Sequence, residues 1–376
     1  MISKIKDHIS TAVFLAFILI FSLLLAIMPK KDYSENEKRV LSSFPELNAE
    51  SIQNSEFTEG LEGYINDHFP LRDTFVGIYS YYTRLLGRGN STGIYLLSDG
   101  SLVSAPQNID IDKCSRNMTR LEKLADTLGV PATLIMIPSA GYANNDDLPF
   151  GYKEYADDAI YASAYDTLED VKIIDLRELF TEKESSGEDV YYRTDHHITS
   201  YGSYLAYLEF CKSSGIEPTP NFTIEEIDGF YGTSYSKSGL WLTKPDTLEI
   251  WRSDSGYSFT VTIDDITEKK TSDSLYFYEH TENPDKYPIF LDGNHAITTI
   301  KNNSVKNGKA LLVVKDSYAH CLSTMLCDQY ETICLVDMRY YRGTVSKVAT
   351  EIGATELLYV FGAENLATIS ELALLR

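Results

Sequence analysis

Two short segments more than a hundred residues apart carry the chemistry of this chain: Thr194-Asp195-His196-His197 and Lys315-Asp316-Ser317-Tyr318. The first sets a carboxylate two residues before an imidazole. At that spacing Asp195 can accept the His197 Nδ1–H and leave Nε2 free to take a proton. The second sets a serine where an apolar run, Ala310 to Val314, gives way to a helical pattern. A serine there has backbone N–H groups beside it that can hold an oxyanion. Base, orienting acid and hydroxyl nucleophile together point to acyl transfer or ester hydrolysis. Each half also has a plainer reading. Asp316 or Ser317 can be a helix N-cap, and the two histidines can be cap or surface residues of a polar loop. Metal binding by Asp195, His196 and His197 is a third option, but His68, His280, His295 and His320 stand at no metal-type spacing.

These segments need a scaffold, and the chain outlines one. From about residue 110 short apolar runs alternate with helical patterns. The spacing predicts a helix over 112–128 stopped by Gly129, a strand over 133–137, a helix over 154–168 and a strand over 171–174. A helix over 199–212 follows, stopped by Gly215. Further on come strands over 310–314, 332–336 and 357–361, separated by helices after Ser317 and over 345–352, with a last helix from Asn365. Short apolar runs separated by helices predict an α/β fold, a parallel sheet with helices on both faces. Ser317 would then lie at the carboxyl end of a strand, where open parallel sheets bind ligands. The stretch 216–300 breaks the pattern with turn residues and alternation such as Tyr257 to Val261, and reads as a β-rich insertion.

Before residue 110 the chain is different. Thr11 to Met28 is an unbroken apolar run preceded by Lys4 and Lys6. Eighteen residues at about 1.5 Å each nearly cross a hydrocarbon core. No small-residue cleavage pattern ends the run, so 1–31 reads as an uncleaved signal anchor with the body outside the cell. Lys30 and Lys31 on its far side leave an intracellular body as a second option. Residues 32–109 read as a stalk, a helical region and a hairpin. One helix carries Leu61, Tyr64 and Ile65; another follows Pro70 with Phe75, Ile78, Tyr82 and Leu85, ended by Gly87 and Gly89. Asp99-Gly100 marks the hairpin.

Composition narrows the partners. A net charge of -22 disfavours nucleic acid and anionic surfaces. Tyrosine, at 27 residues, suits stacking on sugars as well as core packing. The five cysteines form no CxxC or Cys/His cluster, which argues against a zinc site or disulfide framework. No cofactor or metal is expected.

The chain resembles the DHHW protein family and, through it, the AlgX/AlgJ-like branch of the SGNH-hydrolase superfamily. The resemblance rests on Ser34 to Arg39 with Phe44-Pro45, Asn66 to Asp73, Tyr191 to His197, Phe230-Tyr231-Gly232-Thr233, Asp285-Lys286-Tyr287 with Gly293-Asn294, Lys315 to Tyr318, and Asp337 to Tyr341. It implies that Ser317 is the nucleophile, His197 the base and Asp195 the orienter, in a permuted motif order. One position departs: where the family motif ends in Trp, this chain has Ile198. The superfamily's oxyanion asparagine would correspond to Asn365, which a helix N-cap explains equally. Arg339 and Tyr340 would bind substrate or donate to the oxyanion, or belong to a surface loop. Asn294 and His295 would line the site mouth or form a turn. The implied function is a membrane-anchored cell-surface O-acyltransferase, transferring acetyl groups from a membrane-bound O-acyltransferase partner to a polysaccharide. A carbohydrate esterase with the same residues, or a non-catalytic glycan-binding or assembly protein, is the alternative.

Overall fold

The computed structural model describes residues 2–87, 92–265, 267–283 and 285–375. Gly89 and the side chains of Lys4 and Lys6 lie outside the described residues. The chain divides into two compact units, Met1–Thr92 with Tyr235–Leu242, and Gly93–Ser234 with Thr243–Arg376.

The smaller unit begins with α1 (Ile2–Ile27), whose stretch His8–Ile27 has a mean hydropathy of 2.7. Its 20 residues span about 30 Å, the thickness of a bilayer's hydrocarbon core. That is compatible with a membrane anchor or a signal sequence. The helix Glu56–Asp67 and α2 (Arg72–Leu85) follow. Asp67 ties them to the preceding chain: it pairs with Arg39 and accepts from Ser42 N at 2.8 Å. Arg72 pairs with Glu37. The buried face of α2 is Gly77, Ser80 and Thr83, packed toward Tyr235–Leu242. Trp241 Nε1 donates to Asp73 O at 2.9 Å, and a Cβ on Gly77 would lie 3.1 Å from Trp241 Cδ1. The apolar positions that the helical spacing picks out, Phe75, Ile78, Tyr82 and Leu85, face outward instead.

The larger unit is built on an eight-stranded sheet. Its strands are β1 (Ala132–Ile137), β2 (Val171–Asp175), β3 (Phe259–Asp264), β4 (Lys269–Ser272), β5 (Ile297–Asn302), β6 (Ala310–Lys315), β7 (Thr332–Val336) and β8 (Glu356–Gly362). They lie in the order β4-β3-β5-β7-β6-β8-β1-β2. The run from β7 to β2 is parallel. Strands β4, β3 and β5 are antiparallel additions to it. The sheet is therefore mixed rather than purely parallel, and the strands β3, β4 and β5 of the stretch read as an insertion belong to it. The remainder of that stretch holds a separate ribbon, Phe222–Phe230 paired with Asp246–Ser253.

Side-chain alternation splits the core into two layers. Ile135, Ile137, Leu311 and Val313 face one; Leu134, Met136, Leu312 and Val314 face the other. The first layer is covered by α5 (Ser200–Ser214) through Leu205, Ala206 and Phe210, and by α6 (Ala319–Met325) through Leu322. The second is covered by α3 (Ile111–Leu128), α4 (Asp157–Thr167), α7 (Val345–Ile352) and α8 (Ala363–Thr368). Helices on both faces account for the continuous apolar runs of β1, β6 and β8. The five cysteines are free and buried. Ile198, standing where the family motif has Trp, is 1% exposed and packs in the first layer.

Candidate active site

Strand β6 ends at Lys315, and the next three residues turn into α6. Asp316 makes that turn. Its Oδ1 accepts from Tyr318 N at 3.0 Å, and its Oδ2 accepts from Gly362 N at 2.9 Å and Asn365 Nδ2 at 2.8 Å. Burial pushes the Asp316 carboxyl up, against the pull of these three donors. The amides on either side of Ser317 are engaged as well: Asp316 N donates to Val360 O, Ala319 N to Asp316 O and His320 N to Ser317 O. Among the described residues the Ser317 N–H has no acceptor, so it is the donor available to a developing oxyanion. Ser317 is not a helix cap, because its hydroxyl points elsewhere.

It points at His197. His197 Nε2 lies 2.7 Å from Ser317 Oγ, and His197 Nδ1 lies 2.5 Å from Asp195 Oδ1. All three side chains are nearly buried, Asp195 at 2%, His197 at 6% and Ser317 at 7% exposure. Folding thus brings the two sequence segments into one hydrogen-bonded chain. Burial alone would raise the Asp195 carboxyl. The neighbouring imidazoles of His196 and His197 and the donors from His197 and Thr233 outweigh it and hold the carboxyl well below the usual carboxylate range. Both ring nitrogens of His197 are committed along this chain, which favours proton transfer over metal ligation.

The acid half is held by residues that the local pattern did not single out. Thr233 donates twice to Asp195 Oδ2, from N at 2.6 Å and Oγ1 at 3.0 Å, and its Oγ1 lies 2.7 Å from His196 Nδ1. Gly232 N donates to Thr194 Oγ1 at 2.9 Å. Asp246 accepts from Arg193 N at 2.7 Å, from Thr194 N at 2.9 Å and from the Thr194 hydroxyl. Burial pushes the Asp246 carboxyl up to about 6 despite these donors. The Tyr287 ring stacks on the His197 ring, centroids 3.8 Å apart and planes 7° from parallel. Tyr318 OH donates to His196 O at 2.8 Å. Phe230 to Thr233 and Asp285 to Tyr287 already stood among the segments carrying the family resemblance; that was the signal for Thr233 and Tyr287.

Beneath the serine lies a buried charged group. Lys315 Nζ lies 2.6 Å from His320 Nε2 and 3.3 Å from Asp337 Oδ2. Burial lowers Lys315, and burial with the adjacent ammonium keeps His320 neutral. Arg339 closes this group from outside, donating to Asp337 Oδ1 at 2.9 Å, to Asp337 Oδ2 at 2.6 Å and to Asn294 Oδ1 at 2.9 Å.

The remaining expectations fare differently. Asn365 is neither a cap nor aimed at the serine: it is the third residue of α8, whose N-cap is Gly362, and its amide is spent on Asp316. Arg339 pairs with Asp337, which Lys315 shares, and with Asn294, so it braces the loop after β7. Tyr340 is 47% exposed, on that loop. Asn294 follows the turn at Leu291-Asp292 and accepts from Arg339. His295 bridges Asp265 and Asp292. A cleft of about 480 Å³ is lined by Tyr191, Arg193, Ser200, Tyr201, Asp246 and Glu249 among others, but not by Asp195, His197 or Ser317.

Comparisons with other proteins agree with this architecture. Residues 161–336 match the family described as DHHW protein, a span that holds Asp195, His197 and Ser317. Residues 97–219 match the SGNH hydrolase-like domain of the acetyltransferase AlgX. A DHHW family protein from Eubacterium siraeum superposes with a TM-score of 0.64 at 23% identity, covering 76% of this chain and 95% of that one. PatB1 of Bacillus cereus, in a structure with a sulfonyl adduct, superposes with a TM-score of 0.64 at 20% identity, covering 75% of this chain and 100% of that one. The O-acetyltransferase domain of Pseudomonas putida AlgJ gives 0.45 at 15% identity, over 74% and 93%. No curated protein matches the sequence. Residues 161–336 are thus similar to the DHHW proteins, and residues 97–219 to the SGNH hydrolase-like domain of the acetyltransferase AlgX.

Proposed function

We propose that this protein is a membrane-anchored, cell-surface O-acyltransferase that moves acetyl groups onto a polysaccharide through an acyl-Ser317 intermediate. The observation that carries the proposal is the continuous hydrogen-bonded chain Asp195–His197–Ser317. His197 Nε2 takes the Ser317 proton as Oγ bonds to the carbonyl carbon of the acyl donor. The carbonyl oxygen becomes an oxyanion facing the Ser317 N–H. Collapse breaks the bond to the donor's leaving group, which departs with the proton from His197. In the second half a sugar hydroxyl gives its proton to His197 and attacks the acyl carbon. Collapse then breaks the bond to Ser317 Oγ, which recovers the proton. Asp195 stays a carboxylate throughout and holds the imidazole in the tautomer that presents Nε2 to the serine.

The buried serine suits a site that excludes water, as transfer to a sugar requires. The helix His8–Ile27 serves as the anchor, with the body outside the cell, and a membrane-bound O-acyltransferase partner supplies the acetyl group. The strongly acidic body suits a neutral glycan better than a polyanion.

Ser317→Ala tests the proposal directly. Expression of the variant in a strain lacking the parent gene should leave the surface polysaccharide without its O-acetyl groups, and p-nitrophenyl acetate turnover should fall by about 10³-fold or more. A sulfonyl fluoride should label the parent at Ser317 and leave the variant unlabelled. Unchanged surface acetylation in the variant refutes the function. Addition of an oligosaccharide acceptor separates transfer from hydrolysis: O-acetylated sugar identifies a transferase, and free acetate alone identifies an esterase.

A further inference from the structure

Helix α2 is built the wrong way round for a soluble protein. Its packed face is small and polar, Gly77, Ser80 and Thr83. Its outward face carries Leu71 at the N-cap, then Phe75, Ile78, Tyr82, Leu85 and, just past the end, Leu86, between 41% and 85% exposed. At ~100° per residue these six side chains fall within about 100° of arc, a single stripe opposite the packed face. Helices in water show the reverse arrangement, with large apolar residues inward. A contiguous apolar surface of this kind marks a contact with something apolar.

The same unit says what that is. Phe21 of α1 stacks on Phe69 at 5.2 Å, 8° from parallel, and its ring lies 6.0 Å from that of Phe75. Phe21 is six residues before the end of the apolar helix, about 9 Å inside it. Phe75, the second member of the stripe, therefore sits beside a residue that lies at acyl-chain depth when α1 spans the bilayer. The stripe continues from that point along α2. Tyr82 on the stripe and Tyr79 beside it are exposed, the residue type that settles at headgroup level. Lys30 and Lys31 follow the apolar helix, where headgroup phosphates lie.

We infer that α2 is an interfacial helix: its Leu71-to-Leu86 stripe is immersed in the leaflet from which α1 emerges, so the smaller unit is held by a span and a surface helix together. This inference rests on α1 spanning a membrane, as proposed above. The occupant of the stripe is lipid, since the spanning helix beside it already places Phe75 among acyl chains.

Full-length protein in phosphatidylcholine–phosphatidylglycerol vesicles tests it. The native cysteines are all buried, so a thiol-reactive fluorophore can be placed at single introduced sites. Three variants, Ile78→Cys, Leu85→Cys and Leu19→Cys, are compared with Asp166→Cys, an exposed position on α4, after thermal unfolding confirms that each folds as the parent does. Nitroxide-tailed lipid should quench the label at positions 78 and 85 by at least half the loss seen at 19, and aqueous iodide should quench it far less than at 166. Iodide access at 78 and 85 with lipid quenching at 19 overturns the inference and leaves the anchor intact. Iodide access at 19 overturns the anchor and the inference with it. Protection of 78 and 85 from both quenchers means that a second copy of the chain covers the stripe, and overturns the assignment to lipid.

Discussion

Gly232 is the position where a single methyl group should do the most damage to the site. A Cβ added there would lie 2.1 Å from Asp195 Cβ, 2.4 Å from its Oδ2 and 2.5 Å from its Cα. Carbon atoms relax at about 3.5–4.0 Å, so the two segments would have to part by more than about 1 Å. Of these atoms the Asp195 Cβ and Cα have no rotamer escape. The displacement acts on the bonds that hold the acid: Gly232 N to Thr194 Oγ1, and Thr233 N and Oγ1 to Asp195 Oδ2. Gly232→Ala should cost about 1–3 kcal/mol of stability as an overpacked site. Its effect on turnover should be larger. A misplacement of about 1 Å costs on the order of 10²-fold, and complete loss of the orienting carboxylate on the order of 10⁴-fold. At about 1.36 kcal/mol per tenfold, that bounds the loss in transition-state stabilisation between about 2.7 and 5.4 kcal/mol. The assay is p-nitrophenyl acetate hydrolysis beside urea unfolding. Gly215→Ala is the control: its φ is +64° and a Cβ there meets nothing within 4 Å, so it should lose about 1 kcal/mol of stability and no turnover. Asp195→Ala completes a double-mutant cycle, in which Gly232→Ala should add almost nothing to the turnover defect. A folded Gly232→Ala protein with parental kcat/KM, or additive defects in the cycle, would refute the reasoning.

Other residues give independent tests. Tyr287→Ala removes the ring stacked on His197 and should lower kcat/KM by about 10²-fold through a loosened imidazole, while Tyr287→Phe stays near the parent, because among the described residues the hydroxyl makes one long hydrogen bond, to Ser317 O at 3.4 Å. Lys315→Met leaves Asp337 buried with Arg339 alone and should cost about 3 kcal/mol in urea unfolding, partly restored by adding Asp337→Asn. Glu184 accepts from Val190 N and Tyr191 N, and burial pushes its carboxyl up to about 7 from 4.5. Its folded form thus prefers the proton, and stability falls as pH rises across that interval; Glu184→Gln should flatten the fall and be more stable than the parent at pH 8 by up to about 3 kcal/mol, with no advantage at pH 4.5, as read from unfolding midpoints.

Most of the parallel half of the sheet was legible because burial on both faces forces uninterrupted apolar runs, and the observed β1, β6, β7 and β8 fall within a residue of where those runs lie. The antiparallel half was not. Strand β3 alternates buried and half-exposed residues, so its sequence resembles any surface ribbon, and its pairing with β5 is set by residues about forty positions away. The Asp195–His197 contact was readable because two-residue spacing lets the side chains meet locally. The pairings of Thr233, Tyr287 and Lys315–Asp337 were not readable from spacing, since their partners come from distant segments that no periodicity links. Helix α2 shows a different limit. Helical spacing identified an apolar face correctly, but spacing alone cannot say whether that face meets a core or a bilayer.

The two halves of the candidate site are supported unequally, and this follows from their origins. Ser317, Asp337 and Gly362 lie at the carboxyl ends of the adjacent strands β6, β7 and β8, so their relative positions are fixed by ladder hydrogen bonds running through the sheet centre. His197 arrives from outside the sheet, on a turn before α5. Its placement depends on side chains acting on that turn: Asp246 on Arg193 and Thr194, Thr233 on Asp195, and Tyr287 on the imidazole face. Proton transfer between His197 and Ser317 requires a separation near the 2.7 Å observed, and the nucleophile side of that distance is the stiffer one. Substitutions among Thr233, Asp246 and Tyr287 should therefore alter turnover more than stability. Substitutions under the serine, at Lys315 or Asp337, should alter stability first, because there the sheet and the buried charges unfold together.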